Sequence, residues 1–192
     1  MGVLFQQGDD IDHCLIPFLR DKGVDCVKDE IVRLHSLANL GRITTSAMWS
    51  TFGLPTLDID YLSTIQLDHL ALESAMLLSA TFRLGLLTNN PSEWGNILRT
   101  RLDDLFEVAI VSGDHGVAKP EVEIFTAFLH ATGARASDCT LIDDRKRNTI
   151  AAKALGFRTI LYSRRNTDNS FADLQTTDWQ AIRDFLETSE RA

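Results

Sequence analysis

The chain has 192 residues, 44% of them hydrophobic and 24% charged, which is enough to bury one α/β core with a modest insertion. Its formal net charge of −8 argues against binding to nucleic acid or to an anionic membrane. The three cysteines lack metal-ligand spacing, nothing resembles a secretory signal, and no apolar run approaches the roughly 20 residues that span a bilayer. We therefore expect a reduced, cytoplasmic protein without a membrane span.

The first 80 residues predict helices only. Apolar residues recur at helical spacing in four stretches, at about 10–23, 27–41, 44–53 and 61–79. Gly23, Gly41 and Gly53 are typical residues at which such helices end. Thr44 or Thr45 could cap the third helix. This part of the chain is predicted to be a helical block that packs through its apolar faces.

From residue 84 onward, short apolar runs alternate with amphipathic stretches. The runs cover 84–87, 108–111, 140–142 and 159–162, and helices are expected between them near 94–106, 120–128 and 151–156. Pro120 is placed at the first position of the second of these helices. Strands that alternate with helices predict right-handed crossovers and therefore an α/β fold, with a Rossmann-like parallel sheet flanked by helices.

Polar side chains interrupt this pattern where the predicted strands end. They are Thr88 and Asn89 after the first run, Ser112, Asp114 and then Lys119 after the second, and Asp143 and Asp144 at the end of the third. Ligands of parallel sheets bind beyond the carboxyl ends of the strands, so these groups should converge. Adjacent carboxylates suit Mg²⁺, and a lysine with a hydroxyl suits an anionic substrate such as a phosphate. Each group alone is better explained as a helix cap or a surface residue, but their order on successive strands favours a site.

Three motifs in this order resemble those of the haloacid dehalogenase (HAD)-like hydrolase superfamily. The motifs are Leu86-Leu87-Thr88-Asn89, then Ser112-Gly113-Asp114 leading to Lys119-Pro120, then Leu141-Ile142-Asp143-Asp144 with Asn148. The resemblance spans residues 84–163. The helical block resembles the cap that is inserted after the first strand in the subgroup of haloacid dehalogenases and many small-molecule phosphatases. Residues 1–7 and 82–192 would then form the core, and residues 8–81 the cap.

The resemblance implies roles for the strand-end residues. Thr88 and Lys119 would be catalytic, and Thr88, Asn89 and Lys119 would contact a small anionic substrate, either phosphorylated or halogenated. Asp143 and Asp144 would hold Mg²⁺ in a phosphatase, whereas a dehalogenase needs no metal. Both kinds of enzyme act through an intermediate on an aspartate.

The first motif of the family is an apolar strand that ends in Asp-x-Asp-Gly, and residues 1–5 resemble only its tail. Gly2 would follow the second acidic position, which Met1 would occupy, and the nucleophilic aspartate would lie two residues before Met1. We therefore expect this chain to be inactive as it stands. Methionine at the acid position also weakens the phosphatase interpretation, because it cannot transfer protons.

Two alternatives stay open. Asp10-Ile11-Asp12 is itself an Asp-x-Asp and could supply the nucleophile, although His13 stands where the family has glycine. Otherwise the chain could be a catalytically silent module of the same fold that binds a ligand or a partner protein. The retained Thr88, Lys119 and acidic pair argue against a silent module.

Overall fold

The computed structural model of the chain describes residues 2–6, 10–25, 27–102, 105–163 and 171–188. The predictions made for Met1 and for the boundary between residues 7 and 8 fall outside these ranges.

The first part of the chain is helical, as predicted. A π-helical turn, Ile11–Leu15, runs directly into α1, and it is followed by further helices: α1 Ile16–Asp21, α2 Lys28–Asn39, α3 Thr45–Thr51, α4 Asp58–Ser63 and α5 His69–Leu78. The side chain of Thr44 caps α3 by accepting a hydrogen bond from the Ala47 N–H, which confirms one of the two expected caps. Trp49 and Tyr61 are fully buried at the centre of the block.

The single long helix expected over 61–79 is wrong, because α4 and α5 are separate helices. Asp68 begins α5 by accepting hydrogen bonds from the Leu70 and Ala71 N–H groups, so these donors need no preceding helical turn. The residues before it pair with the start of the chain instead. Phe5 forms an antiparallel bridge with Leu67, and the Asp68 N–H donates to the Leu4 carbonyl at 2.9 Å.

The described strands are all parallel and form two sheets. The first joins β1 (Gly85–Thr88) to β2 (Val108–Val111), and the second has the order β3 (Thr140–Asp143), β4 (Arg158–Tyr162), β5 (Leu174–Thr176). This confirms the α/β class and the parallel arrangement. The register places Thr88 beside Val111 and Asp143 beside Leu161, so the polar strand-end residues lie at carboxyl ends, where ligands of such sheets bind.

Helices connect and flank these strands. They are α6 Ser92–Thr100, α7 Ser112–His115, α8 Val122–Thr132, α9 Lys146–Ala154 and α10 Trp179–Thr188, with a short 3₁₀ turn at Ala136–Asp138. Two expected bounds are wrong: α6 ends at Thr100 rather than near residue 106, and α8 begins after Glu121, so Pro120 precedes the helix instead of opening it. None of the helices in the described ranges is long and apolar enough to cross a membrane.

The helical block is joined to α6 through a buried carboxylate. Asp58 accepts hydrogen bonds from the Thr45 hydroxyl at 2.7 Å and from the indole N–H groups of Trp49 and Trp94 at 2.8 and 2.6 Å. Because Trp94 lies on α6, this one side chain ties α3 and α4 to the helix that follows β1. The same apolar cluster contains Trp49, Tyr61 and Trp94. Within the predicted division of the chain, α6 belongs to the core and packs directly against the predicted cap.

Candidate active site

Lys119 reaches across the carboxyl ends of β1 and β3. Its ammonium group donates hydrogen bonds to the Leu87 carbonyl and to Asp143 Oδ2, both at 2.7 Å. The side chains of Lys119 and Asp143 are only 11% and 4% exposed. Two residues that sequence reasoning placed after different strands are thus in direct contact, and the lysine links the two sheets at the edge where a ligand is expected.

Asp143 is held by donors on both carboxylate oxygens. Besides Lys119 on Oδ2, the Arg145 N–H and the Asn148 side-chain amide donate to Oδ1 at 2.8 and 2.9 Å. Burial alone would raise the pKa of Asp143, but the Lys119 charge and these hydrogen bonds hold it below its ordinary value. The structure therefore keeps this buried carboxyl group ionised. Asn148, which the third motif places after the acidic pair, thus contacts Asp143 directly.

Asp144 points into a different environment. Its side chain is 19% exposed, and its carboxylate lies 3.5 Å from the Arg145 guanidinium. Burial raises the pKa of Asp144, and the neighbouring charge of Asp143 adds to this effect. Gly2 lies directly against it, since a β-carbon added to Gly2 would collide with the Asp144 carboxylate. The beginning of the chain thus reaches the candidate site.

Thr88 is the last residue of β1 and Asn89 follows it, and their side chains have different hydrogen-bond partners. The buried Thr88 hydroxyl accepts a hydrogen bond from the Asn90 side-chain amide at 2.7 Å. Asn89 donates to the Lys119 carbonyl at 2.9 Å and accepts from the Lys119 N–H at 2.8 Å. Thr88 and Lys119 are therefore brought to one edge, whereas the Asn89 carboxamide is engaged with the backbone of Lys119 rather than presented to a ligand.

A polar network that sequence reasoning missed connects this edge to the helical block. The buried Ser112 hydroxyl donates to the Asn39 carbonyl at the end of α2 at 2.7 Å and accepts from the Asn90 N–H at 3.0 Å. Close by, a β-carbon on Gly41, whose φ is +61°, would collide with the Gly113 carbonyl. The only sequence signal was the position of Ser112 at a strand end, since its Asn39 partner lies 73 positions earlier in the chain. Asp114, expected near the same edge, is exposed.

The oxygen atoms at and beside Asp143 are of the kind that bind a hard cation. Asp143 and Asp144 supply carboxylate oxygens, and the amide oxygen of Asn148 is buried without a hydrogen-bond partner among the described residues. The described ranges hold no group of three or more His, Cys, Asp or Glu side chains that could bind a metal, so a dedicated cage is not built there. Mg²⁺ commonly takes one or two carboxylates and keeps several waters, which agrees with this set.

Asp10, the alternative nucleophile, has its own partner. Its carboxylate lies 3.5 Å from Nε2 of His35, and the two side chains are 19% and 5% exposed. Within the part of the chain that the structure describes, the hydrogen-bond partners of Lys119 and Asp143 do not include Asp10. The structure thus pairs Asp10 with the helical block, and its role as a nucleophile remains an untested prediction.

A family model described as haloacid dehalogenase-like hydrolase matches residues 50–156, more than half of the 192-residue chain. The chain belongs to this family, which confirms the resemblance carried by the three motifs. Glyceraldehyde 3-phosphate phosphatase from Pyrococcus abyssi is 38% identical over 84 residues, which cover 42% of this chain and 35% of that relative. The enzyme of the same name from Pyrococcus furiosus is 34% identical over an equal span. The chain therefore matches about a third of the length of these curated relatives.

Solved structures of similar fold include a HAD family enzyme, a HAD phosphatase and a dehalogenase. A HAD family enzyme from Bacteroides thetaiotaomicron, in complex with magnesium and inorganic phosphate, has a TM-score of 0.71 at 21% identity, over 88% of this chain and 93% of that one. A HAD phosphatase from Thermococcus onnurineus has a TM-score of 0.69 at 21% identity, over 97% and 94%. A 2-haloacid dehalogenase from Pseudomonas syringae pv. Tomato has a TM-score of 0.70 at 16% identity, over 98% and 95%. At these identities the likeness establishes the fold.

Proposed function

We propose that the site belongs to a Mg²⁺-dependent phosphatase of a small phosphorylated organic molecule. Thr88 and Lys119 would contact the phosphoryl group, and Asp143 and Asp144 would hold the metal. The observation that carries the proposal is the buried contact of 2.7 Å between Lys119 and Asp143, at the carboxyl ends of strands from two sheets. A lysine, a hydroxyl and an acidic pair thus lie at the carboxyl ends of β1 and β3, and these are the groups that an anionic substrate with a divalent cation requires.

The acidic pair favours a phosphatase over a dehalogenase. Displacement of a halide needs no divalent cation, whereas a second carboxylate beside Asp143 adds an oxygen ligand for one. Burial raises the pKa of Asp144, and the charge of Asp143 adds to this effect. A bound cation would stabilise the ionised form of Asp144. The names of the curated relatives, both glyceraldehyde 3-phosphate phosphatases, agree with this choice.

The nucleophile is proposed to be an aspartate that precedes Met1. Two observations support this position. Gly2 lies against Asp144, so the described start of the chain already reaches the site. Val3 and Leu4 pack into the same apolar cluster as Leu84, which precedes β1, and Ile142 of β3. A preceding strand would therefore run near the space between the two sheets, where Lys119 now bridges Leu87 and Asp143.

In the proposed reaction, a carboxylate oxygen of this aspartate forms a bond to phosphorus while the bond from phosphorus to the substrate oxygen breaks. The substrate oxygen leaves with the bonding electrons and takes a proton from solvent. Lys119 stabilises the charge on the phosphoryl oxygens, and the Thr88 hydroxyl donates a hydrogen bond to them. Mg²⁺, held by Asp143 and Asp144, would offset the remaining negative charge. Water then attacks phosphorus, which releases inorganic phosphate and restores the aspartate.

A catalytically silent binding module is the second candidate. It is favoured by the pairing of the Lys119 ammonium with the Leu87 carbonyl and with Asp143, which occupies two of its three donors in the described structure. Such a module would still bind phosphate with Mg²⁺ but would not turn it over.

The test measures release of inorganic phosphate from a panel of small phosphate esters, with Mg²⁺ or with a chelator. It compares the 192-residue chain with a chain extended by the in-frame codons that precede Met1. We expect Mg²⁺-dependent turnover by the extended chain, and loss of several powers of ten in rate for its Lys119→Met variant. A folded extended chain that carries an upstream aspartate and does not turn over would reject the phosphatase and favour the silent module.

A further inference from the structure

The carboxamide of Asn89 is paired with the backbone of Lys119 at both of its polar ends. Nδ2 donates to the Lys119 carbonyl at 2.9 Å, and Oδ1 accepts from the Lys119 N–H at 2.8 Å. Thirty residues of sequence separate the two positions. This reciprocal pair copies the hydrogen bonds that a neighbouring strand would make, and it fixes the loop at Lys119 to the carboxyl end of β1.

Lys119 needs such an anchor because of where it lies. It sits between α7 and α8 in a segment without regular secondary structure, and its ammonium group is carried on a flexible four-carbon stem. The ammonium must still reach a point between the Leu87 carbonyl and Asp143. Leu87 lies in β1 and Asn89 directly follows its last residue, so the end of this strand holds Lys119 both at its backbone and at its ammonium group.

Few other side chains could replace Asn89 in this contact. A carboxamide carries a donor and an acceptor on a short side chain, whereas a carboxylate only accepts and an alanine does neither. Use of the same group as a substrate ligand, as the sequence predicted, would compete with both bonds to Lys119.

We propose that Asn89 is a positioning residue, which acts on the reaction by fixing the backbone of Lys119 and thereby the place of its ammonium group. The consequence for catalysis rests on the proposed phosphatase function. The claim that Asn89 positions Lys119 rests only on the two hydrogen bonds between them. The positioning role and the catalytic role can therefore be rejected separately.

The first test reads the lysine directly and needs no turnover. The chain has five lysines, and Lys119 is the most buried of them. Its side chain is 11% exposed, against 37%, 56% and 38% for Lys22, Lys28 and Lys153, and Lys146 is exposed. In the full chain labelled with ¹⁵N-lysine, we expect one ammonium signal protected from exchange, assigned by its loss in Lys119→Met. Asn89→Ala should abolish or shift that signal, and Asn96→Ala, at an exposed asparagine on α6, should not.

An unchanged Lys119 signal in a folded Asn89→Ala chain would overturn the inference. Should Asn89→Ala fail to fold, Asn89→Asp is measured in the same way, since it keeps the acceptor for the Lys119 N–H but loses the donor to its carbonyl. An unchanged signal in that variant would be equally decisive.

The second test uses the active extended chain. Asn89→Ala should lower kcat by about 10²-fold through misplacement of the lysine, and it should have little further effect when combined with Lys119→Met. An equal loss in both backgrounds, with a raised KM, would instead identify Asn89 as a substrate ligand and reject the positioning role. A shifted lysine signal without any turnover by the extended chain would support the positioning contact and reject the phosphatase.

Discussion

The Lys119 ammonium and the Asp143 carboxylate lie 2.7 Å apart, with both side chains at most 11% exposed. The ammonium also donates to the Leu87 carbonyl, so the pair links β1 of one sheet to β3 of the other. An ion pair in such surroundings is costly to break, because the remaining charge stays buried without compensation. The same contact therefore stabilises the arrangement of the two sheets. It also lies at the centre of the candidate active site.

Removal of the lysine should destabilise the chain itself. Lys119→Met leaves Asp143 without its counter-charge, and we expect the free energy of unfolding to fall by about 3 kcal/mol. Urea denaturation at pH 7 measures this loss. The double variant Lys119→Met/Asp143→Asn carries no charge at either position and should recover part of it. A loss below about 1 kcal/mol in the single variant would show that the pair is solvated.

The two neighbouring aspartates should respond to pH in opposite senses. The pKa of Asp143 is lowered in the folded chain, so its contribution to stability is present above the unfolded pKa of about 3.9 and is lost as pH falls through the folded pKa. The pKa of Asp144 is raised, so its ionisation opposes folding at neutral pH, and this penalty disappears as pH falls through the raised value. Without metal at pH 7, Asp144→Asn should therefore stabilise the chain and Asp143→Asn should destabilise it. Urea midpoints between pH 3 and 7 measure both, and a lower midpoint for Asp144→Asn at pH 7 would contradict this assignment.

Mg²⁺ should stabilise the chain through the acidic pair. A ligand that binds only the folded state at 100 times its Kd adds about 2.7 kcal/mol, which a rising Tm over a MgCl₂ titration would report. Asp144→Asn should flatten the titration, while Asp60→Asn, an exposed aspartate on α4, should leave it unchanged. Equal shifts in the parent chain and in Asp144→Asn would place the ion elsewhere.

Asp58 should be essential for the contact between the helical block and α6. Asp58→Ala leaves the indole N–H groups of Trp49 and Trp94 buried without an acceptor, and we expect a loss of about 3 kcal/mol or more in the free energy of unfolding. Asp60→Ala, two residues along the same helix and exposed, is the matched control. Similar stabilities for the two variants would mean that the indoles find water instead.

Gly41 and Gly53 have similar backbone conformations but different surroundings, so their alanine variants distinguish backbone strain from a steric collision. Gly41 and Gly53 have φ values of +61° and +71°, but a β-carbon would collide with the Gly113 carbonyl only at Gly41 and meets open space at Gly53. Alanine at either position is strained, and Gly41→Ala should be the more destabilising by about 1 kcal/mol or more. Thermal unfolding of the two variants tests this. Equal Tm values would contradict the close approach of Gly41 to the Gly113 carbonyl.

The strand ends could be predicted from sequence because the apolar runs are short and the residues that end them are polar. Thr88, Lys119 and Asp143 accordingly fell at one edge. The break between α4 and α5 was not predictable in the same way, since it depends on the pairing of Leu67 with Phe5, more than 60 residues earlier. The partner of Asn89 was missed for a similar reason: an asparagine at a strand end could bind a substrate or a distant backbone equally well. No motif indicated β5 or α10, because both lie after the last of the three motifs.

The most direct test of the proposed chemistry is to identify the residue that becomes phosphorylated. The extended chain is mixed with a small phosphate ester and Mg²⁺, quenched in acid within the first turnover, and mapped by mass spectrometry. We expect phosphate on an aspartate that precedes Met1, and a much weaker signal in Lys119→Met. Phosphate on Asp10, or turnover without any phosphorylated aspartate, would contradict the proposed site.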